Sequence, residues 1–202
     1  MKPLAAVVAM GVALCGLAPA AAQDPVWYVG FAAGRFWPDT SGNGPRKTLD
    51  PGAIGELRVG GRMPIGLAAE FAVGGFHVEG PMPAVDVSET QLQTLSATWF
   101  STTFKGWHRL GSDRLRVFAG LGVAYYRFDA GLKDPPSSRR DESETDIGGH
   151  LVGGLEFDLT PRIGLGLEYR GLSIEPSDQL GGNVAEYSAS GNAALLGAVW
   201  RF

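Results

Sequence analysis

From Trp27 onward, apolar and polar residues alternate with a period of two in one segment after another, the spacing of strands with two unlike faces. In Trp27 to Trp37 the residues Trp27, Val29, Phe31 and Ala33 share one parity, and Gly30, Ala32 and Gly34 the other. Aromatic residues close both ends, Trp27 with Tyr28 and Phe36 with Trp37, the placement of an interfacial girdle. Residues 53 to 63 set Glu56, Arg58 and Arg62 against Leu57, Val59 and Met63, and the segment from Leu67 sets Leu67, Ala69, Phe71 and Val73 against Ala68, Glu70, Ala72 and Gly74. Leu92 to Trp107 carries apolar and hydroxyl residues on both parities, with Trp99 and Phe100 adjacent, so its faces stay unassigned. Arg114 to Phe128 restores the pattern: Leu115, Val117, Ala119, Leu121, Val123 and Tyr125 oppose Arg116, Phe118, Gly120 and Gly122. Ile147 to Leu159 opposes Leu151, Leu155, Phe157 and Leu159 to His150, Glu156 and Asp158; Ile163 to Ile174 opposes Ile163, Leu165, Leu167 and Tyr169 to Glu168 and Arg170. The last segment, Tyr187 to Phe202, aligns Ala194, Leu196, Ala198, Trp200 and Phe202 on one face, with a mixed opposite face that includes Arg201.

The connections alternate in length. Those at residues 38–51, 79–90, 129–146 and 175–186 are long and rich in Gly, Pro or charge, whereas the intervening ones are short. Brief turns on one side and long loops on the other predict an all-β fold, a transmembrane eight-stranded antiparallel up-and-down barrel. Each segment reaches the 9 to 11 residues that a tilted strand needs to cross a bilayer. An even strand number puts both ends of the chain on the short-turn, periplasmic side. The charged parity cannot face hydrocarbon, so Glu56, Arg58, Arg62, Glu70, Arg116, His150, Glu156, Asp158, Glu168 and Arg170 are expected in the lumen. They read either as a salt-bridged plug or as a polar lining that selects ions or a small solute. Both signs are present in near balance and an unpaired buried charge is costly, which favours the plug.

Composition adds the compartment. Lys2, an apolar run from Leu4 to Leu17 and the small residues Ala20, Ala21 and Ala22 read as a secretory signal peptide cleaved after Ala22, which leaves residues 23–202 as one barrel domain. The single cysteine, Cys15, lies inside that leader, so the mature chain has neither disulfide nor thiolate metal site. Thirty glycines in 202 residues exceed the average of about 7% and suit a narrow barrel whose inward positions are crowded. A formal net charge of −4 gives no basic footprint for nucleic acid.

At WYVGFAAGRFW, at RVFAGLGVAYYRF and at the closing AVWRF, the chain resembles the small eight-stranded outer-membrane β-barrel family that includes opacity-type surface proteins and the transmembrane domain of outer-membrane protein A. The aromatic end, Trp200 and Phe202, is similar to the carboxy-terminal signal read by the barrel-assembly machinery, and the last strand is expected to close the barrel against the first with Arg201 at the periplasmic rim. The resemblance implies the outer membrane of a Gram-negative bacterium, contact with outer-membrane lipid and lipopolysaccharide, and no cofactor. It further implies a structural or surface-interaction role carried by extracellular loops that could hold a host or cell-surface ligand. No peptidoglycan-binding domain is expected after Phe202. Two alternatives remain: a narrow channel for small or hydrophobic solutes, similar to the outer-membrane protein W family, and a lipid A-modifying barrel enzyme. Lipid A deacylases pair His and Ser two residues apart on a late strand, whereas EYRGLS on strand seven has no histidine. Of the three histidines, His108 falls at a turn, His150 faces inward near Glu156, and His77 lies near a strand end with Ser88 and Glu89 in the next loop, so no catalytic set is expected. Asp141, Glu142, Glu144 and Asp146 read as a solvated loop rather than a metal site.

Overall fold

A computed structural model describes residues 26–39, 49–63, 65–81, 92–111, 114–132, 142–174 and 190–202. Eight strands form: β1 (Val26–Pro38), β2 (Gly52–Arg62), β3 (Leu67–Pro81), β4 (Leu92–Arg109), β5 (Leu115–Leu132), β6 (Glu142–Asp158), β7 (Ile163–Ser173) and β8 (Gly191–Arg201). Each pairs antiparallel with its neighbour in sequence, and β8 returns to β1, closing the barrel. One rung can be followed around the wall: Tyr28 to Gly60, Glu70, Thr103, Gly122, His150, Leu172, Gly191 and back to Pro38. It re-enters β1 ten residues above its start, a shear of 10 on eight strands. Such a stagger tilts the strands and leaves an interior that side chains can fill.

Alternation decides which side chains fill it. Trp27, Phe31, Leu57, Phe71, Leu121 and Leu196 are among the large apolar residues exposed on the outer wall. So large an apolar surface is tenable only against lipid. The faces of β4, left open by the sequence, are now assigned: Leu95, Ala97, Trp99, Ser101, Thr103 and Lys105 are buried inside, and Phe100 and Phe104 stand exposed outside. Tyr28 and Phe36 correct the girdle expectation. Both occupy the inward parity of β1 and are 1% and 0% exposed, so the girdle of this strand consists of Trp27 and Trp37.

Strands β3 to β6 have 15, 18, 18 and 17 residues, whereas β1, β2, β7 and β8 have 13, 11, 11 and 11. The excess lies at the long-loop end, where the β3–β4 ladder runs to Pro81 opposite Leu92 and the β5–β6 ladder to Ala130 opposite Glu142. One side of the barrel therefore carries a raised lip. The expected loops at 79–90 and 129–146 are corrected accordingly, and Asp129, Glu142, Glu144 and Asp146 sit on strands rather than in a solvated loop. Above the apolar belt, the outward positions after Val73, Phe100, Tyr125 and Ile147 become His77, Thr98, Arg127 and Thr145. Ladder hydrogen bonds persist where the hydrophobic pattern has stopped. Strand β8 begins at Gly191, so Tyr187 lies outside the described residues, as do the leader, Ser88, Glu89, Asp141 and most of the four long connections.

Candidate functional site: the filled lumen

The interior has two parts stacked along the barrel axis. Toward the long-loop end it is apolar, built from residues including Phe36, Ile54, Phe76, Trp99, Tyr126, Phe128 and Leu195. An aromatic chain runs through it: Phe36 to Phe76 at 4.4 Å between ring centroids, Phe76 to Trp99 at 6.1 Å, Trp99 to Tyr126 at 6.0 Å and Tyr126 to Phe128 at 5.7 Å. Three of these contacts run along the wall, between the adjacent strands β3, β4 and β5 and within β5, and the stacked Phe36–Phe76 pair reaches past β2 to β1.

Beneath them lies the first of two ionic layers. Arg170 on β7 donates two hydrogen bonds of 2.7 Å to the carboxylate of Glu56 on β2 and one of 2.7 Å to Glu168. Arg58 reaches Glu168 at 2.9 Å, and the Lys105 ammonium bridges Glu70 at 2.8 Å and Glu168 at 3.2 Å. The Tyr28 hydroxyl donates to the other oxygen of Glu70 at 2.9 Å. Three carboxylates meet three cations, and four of their six ion pairs join different strands. Each charge is held in low dielectric by opposite charge and hydrogen bonds together, the condition under which burial is tolerated.

The second layer sits at the short-turn end. Glu156 Oε1 accepts from Arg62 at 2.6 Å, from Arg116 at 3.1 Å and from Arg201. Asp158 pairs with Arg116 and with Arg201, the latter at 2.5 Å. The Arg62 guanidinium lies 3.9 Å from the Trp107 ring centroid, a cation–π contact. Between the layers, Tyr28, Arg58, Glu70, Lys105, Trp107 and Glu168 help to line a cavity of about 20 Å³, room for about one water.

Glycine makes these layers fit. A Cβ on Gly60 would stand 2.5 Å from the Tyr28 ring, and one on Gly122 would stand 2.5 Å from Nε2 of His150. The large lumenal side chains occupy space that a neighbouring strand has left empty.

Of the ten lumenal residues expected from sequence, nine carry the charges of these layers. His150 stands apart, sharing a 2.8 Å hydrogen bond with Thr103 rather than meeting Glu156. Sequence reasoning missed Lys105 and Arg201. Arg201 lies at the short-turn end as expected, beside the Pro161 and Arg162 carbonyls, but it is only 5% exposed: it points into the lumen and ties β8 to β6. The same rule that placed the other charges would have found both. Lys105 cannot face hydrocarbon, and Arg201 lies between the outward Trp200 and Phe202. Outside the lumen, His77 Nδ1 is 2.7 Å from Ser96 Oγ and Nε2 is 3.4 Å from Glu79 Oε1, on the outer wall of the lip. His108 is partly exposed at the short-turn end of β4.

A closed eight-stranded barrel with an apolar exterior and an ion-paired interior is matched by a family model, the outer membrane protein beta-barrel domain, over residues 5–202. The chain belongs to this outer-membrane barrel family. Over 176 residues it is 27% identical to outer membrane protein A of Shigella flexneri, covering 81% of this chain and 47% of that protein. It thus spans about half the length of that relative. Among solved structures it is similar to a major outer membrane protein from Thermus thermophilus, with a TM-score of 0.63 and 16% identity, covering 89% of this chain and 100% of that one. Neisserial surface protein A gives a TM-score of 0.58 at 16% identity, with the same coverage of 89% and 100%. At such identities the two structures speak to fold alone. Family members of this kind are outer-membrane barrels of Gram-negative bacteria, and the outer membrane is where this chain resides.

Proposed function

We propose that this barrel is a closed, non-catalytic outer-membrane protein with a structural or surface-interaction role, its extracellular end carrying any recognition. The observation that carries this reading is the cross-strand packing of the lumen. An aromatic layer and two ionic layers lie in series, so a solute would have to displace all three. The raised lip supports a role at the cell surface, because it lifts polar side chains such as Arg127 and Thr145 clear of the apolar belt. Lipopolysaccharide beside that lip and a host or cell-surface ligand at the loops are the partners this reading implies, with the assembly machinery engaging β8. The test is conductance: purified barrel inserted into planar bilayers is expected to leave the baseline current unchanged. Steady, large openings in most insertions would turn the reading into the channel for small or hydrophobic solutes.

One local arrangement favours a second reading. Ser96, His77 and Glu79 stand in the order nucleophile, base and carboxylate, on the outer wall where lipid A acyl esters would lie. The half-exposed histidine and the 3.4 Å reach to the carboxylate make this a solvated hydrogen-bond chain in the primary reading. Lipid A from cells expressing the wild type and Ser96→Ala is expected to show the same acyl pattern by mass spectrometry. An acyl chain lost only when Ser96 is present would replace the primary reading with hydrolysis.

A further inference from the structure

The ionic layer at the periplasmic mouth is unbalanced. Three guanidinium groups, from Arg62, Arg116 and Arg201, share two carboxylates, Glu156 and Asp158, and three of their hydrogen bonds converge on Glu156 Oε1. The layer above is balanced three to three. Buried donors without an acceptor also concentrate here: the upper layer has Arg58 Nε, whereas the lower has Arg62 Nε, Arg201 Nε and the indole Nε1 of Trp107, whose ring lies against Arg62. A buried N–H left unpaired costs free energy, and mutually repelling guanidiniums add to it. Both deficits have the same remedy, one further anionic acceptor.

The site is open to such a ligand from one side. The side chains of Arg62 and Arg116 are 14% and 15% exposed, whereas those of Glu56 and Arg170 in the upper layer are at 0% and 2%. Arg114 and Arg162, both exposed on the short connections at this end, extend the positive field outward. Guanidinium forks match the paired oxygens of phosphate and carboxylate groups better than a spherical ion.

We infer that the periplasmic mouth of the lumen is a binding site for a small oxyanion, a phosphate or phosphomonoester above all, held by Arg62, Arg116 and Arg201. Such an anion stabilises the folded barrel by mass action, because the site is absent from the unfolded chain. The phosphate can be free in the periplasm or belong to an inner-leaflet lipid headgroup.

The measurement is the heat-induced shift in gel mobility of the barrel refolded in a phosphate-free, non-ionic glycoside detergent. Sodium phosphate is titrated against sodium chloride at matched ionic strength and pH, and phosphatidylglycerol is added in a separate arm. A saturable rise in the midpoint with phosphate but not with chloride is expected, absent in Arg116→Gln and retained in Arg127→Gln on the distant lip. Arg116→Gln leaves two guanidiniums for two carboxylates, so it is expected to refold. Broadening of the phosphate ³¹P resonance by the wild type alone reads binding independently of any variant. A rise with phosphatidylglycerol that also requires Arg116 identifies the headgroup as the source; a rise with inorganic phosphate alone identifies the free ion. Equal shifts in phosphate and chloride, or a phosphate shift that survives Arg116→Gln, overturn the site.

Discussion

Arg170 concentrates the energetics of the lumen in one side chain. It is 1% exposed and forks onto Glu56 while also meeting Glu168, so its removal leaves carboxylates buried without their strongest partner. Breaking a buried pair from one side costs about 3–5 kcal/mol, whereas replacing both members by apolar groups of similar volume is often neutral. Arg170→Ala is therefore expected to lower the urea midpoint of the refolded barrel strongly, and Glu56→Met with Arg170→Met to recover much of the loss. A double variant no better than the single one would mean that the pair acts through packing rather than charge. At this scale the sequence was informative wherever a charge fell between apolar neighbours, as with Glu56, Arg58, Glu168 and Arg170. It was misleading for Tyr28 and Phe36, because a bulky aromatic next to a tryptophan reads as lipid-facing. What decides their side is strand parity together with the space left by glycines such as Gly60.

Among the strands, β8 combines three tasks on alternating positions. Leu195 and Ala193 are buried in the apolar lumen, Arg201 enters the periplasmic ionic layer, and Trp200 and Phe202 stand 52% and 72% exposed on the outer wall. The Phe202 side chain contributes little to the interior, although its backbone N–H donates to the Trp27 carbonyl at 3.0 Å. If it is an assembly signal, Phe202→Ser should reduce the heat-modifiable barrel recovered from outer membranes while leaving the midpoint of the refolded protein almost unchanged. Equal losses in both measurements would make Phe202 a stability residue instead. Element boundaries show where pattern reading stops. The short turns were legible because the apolar alternation runs right up to them. The lip was not, since Glu79, Asp129 and Glu144 extend their strands in a region where polar side chains are tolerated on both faces. Strand β4 was opaque for a different reason: its outward positions alternate Thr98, Phe100, Thr102 and Phe104, which dilutes the contrast with Trp99, Ser101 and Thr103 inside.

For the whole molecule, the eight-stranded closed architecture followed from the strand and connection rhythm, but the division of the lumen did not. Only side-chain packing reveals that the extracellular half is an aromatic core and the periplasmic half an ionic one. The closure itself imposes a rule on how such a chain can change. A rung leaving β1 at Tyr28 comes home at Pro38, an even displacement, so an inward position meets an inward position when the sheet closes. Adding or deleting one residue within a strand would exchange inside and outside for all that follows in it, putting Arg58 or Glu168 into hydrocarbon. Viable length changes in the wall must therefore come in pairs or be absorbed by a bulge, while the connections between strands are free to vary one residue at a time. Lineages descended from such a barrel should differ in loop length by any integer and in strand length by two.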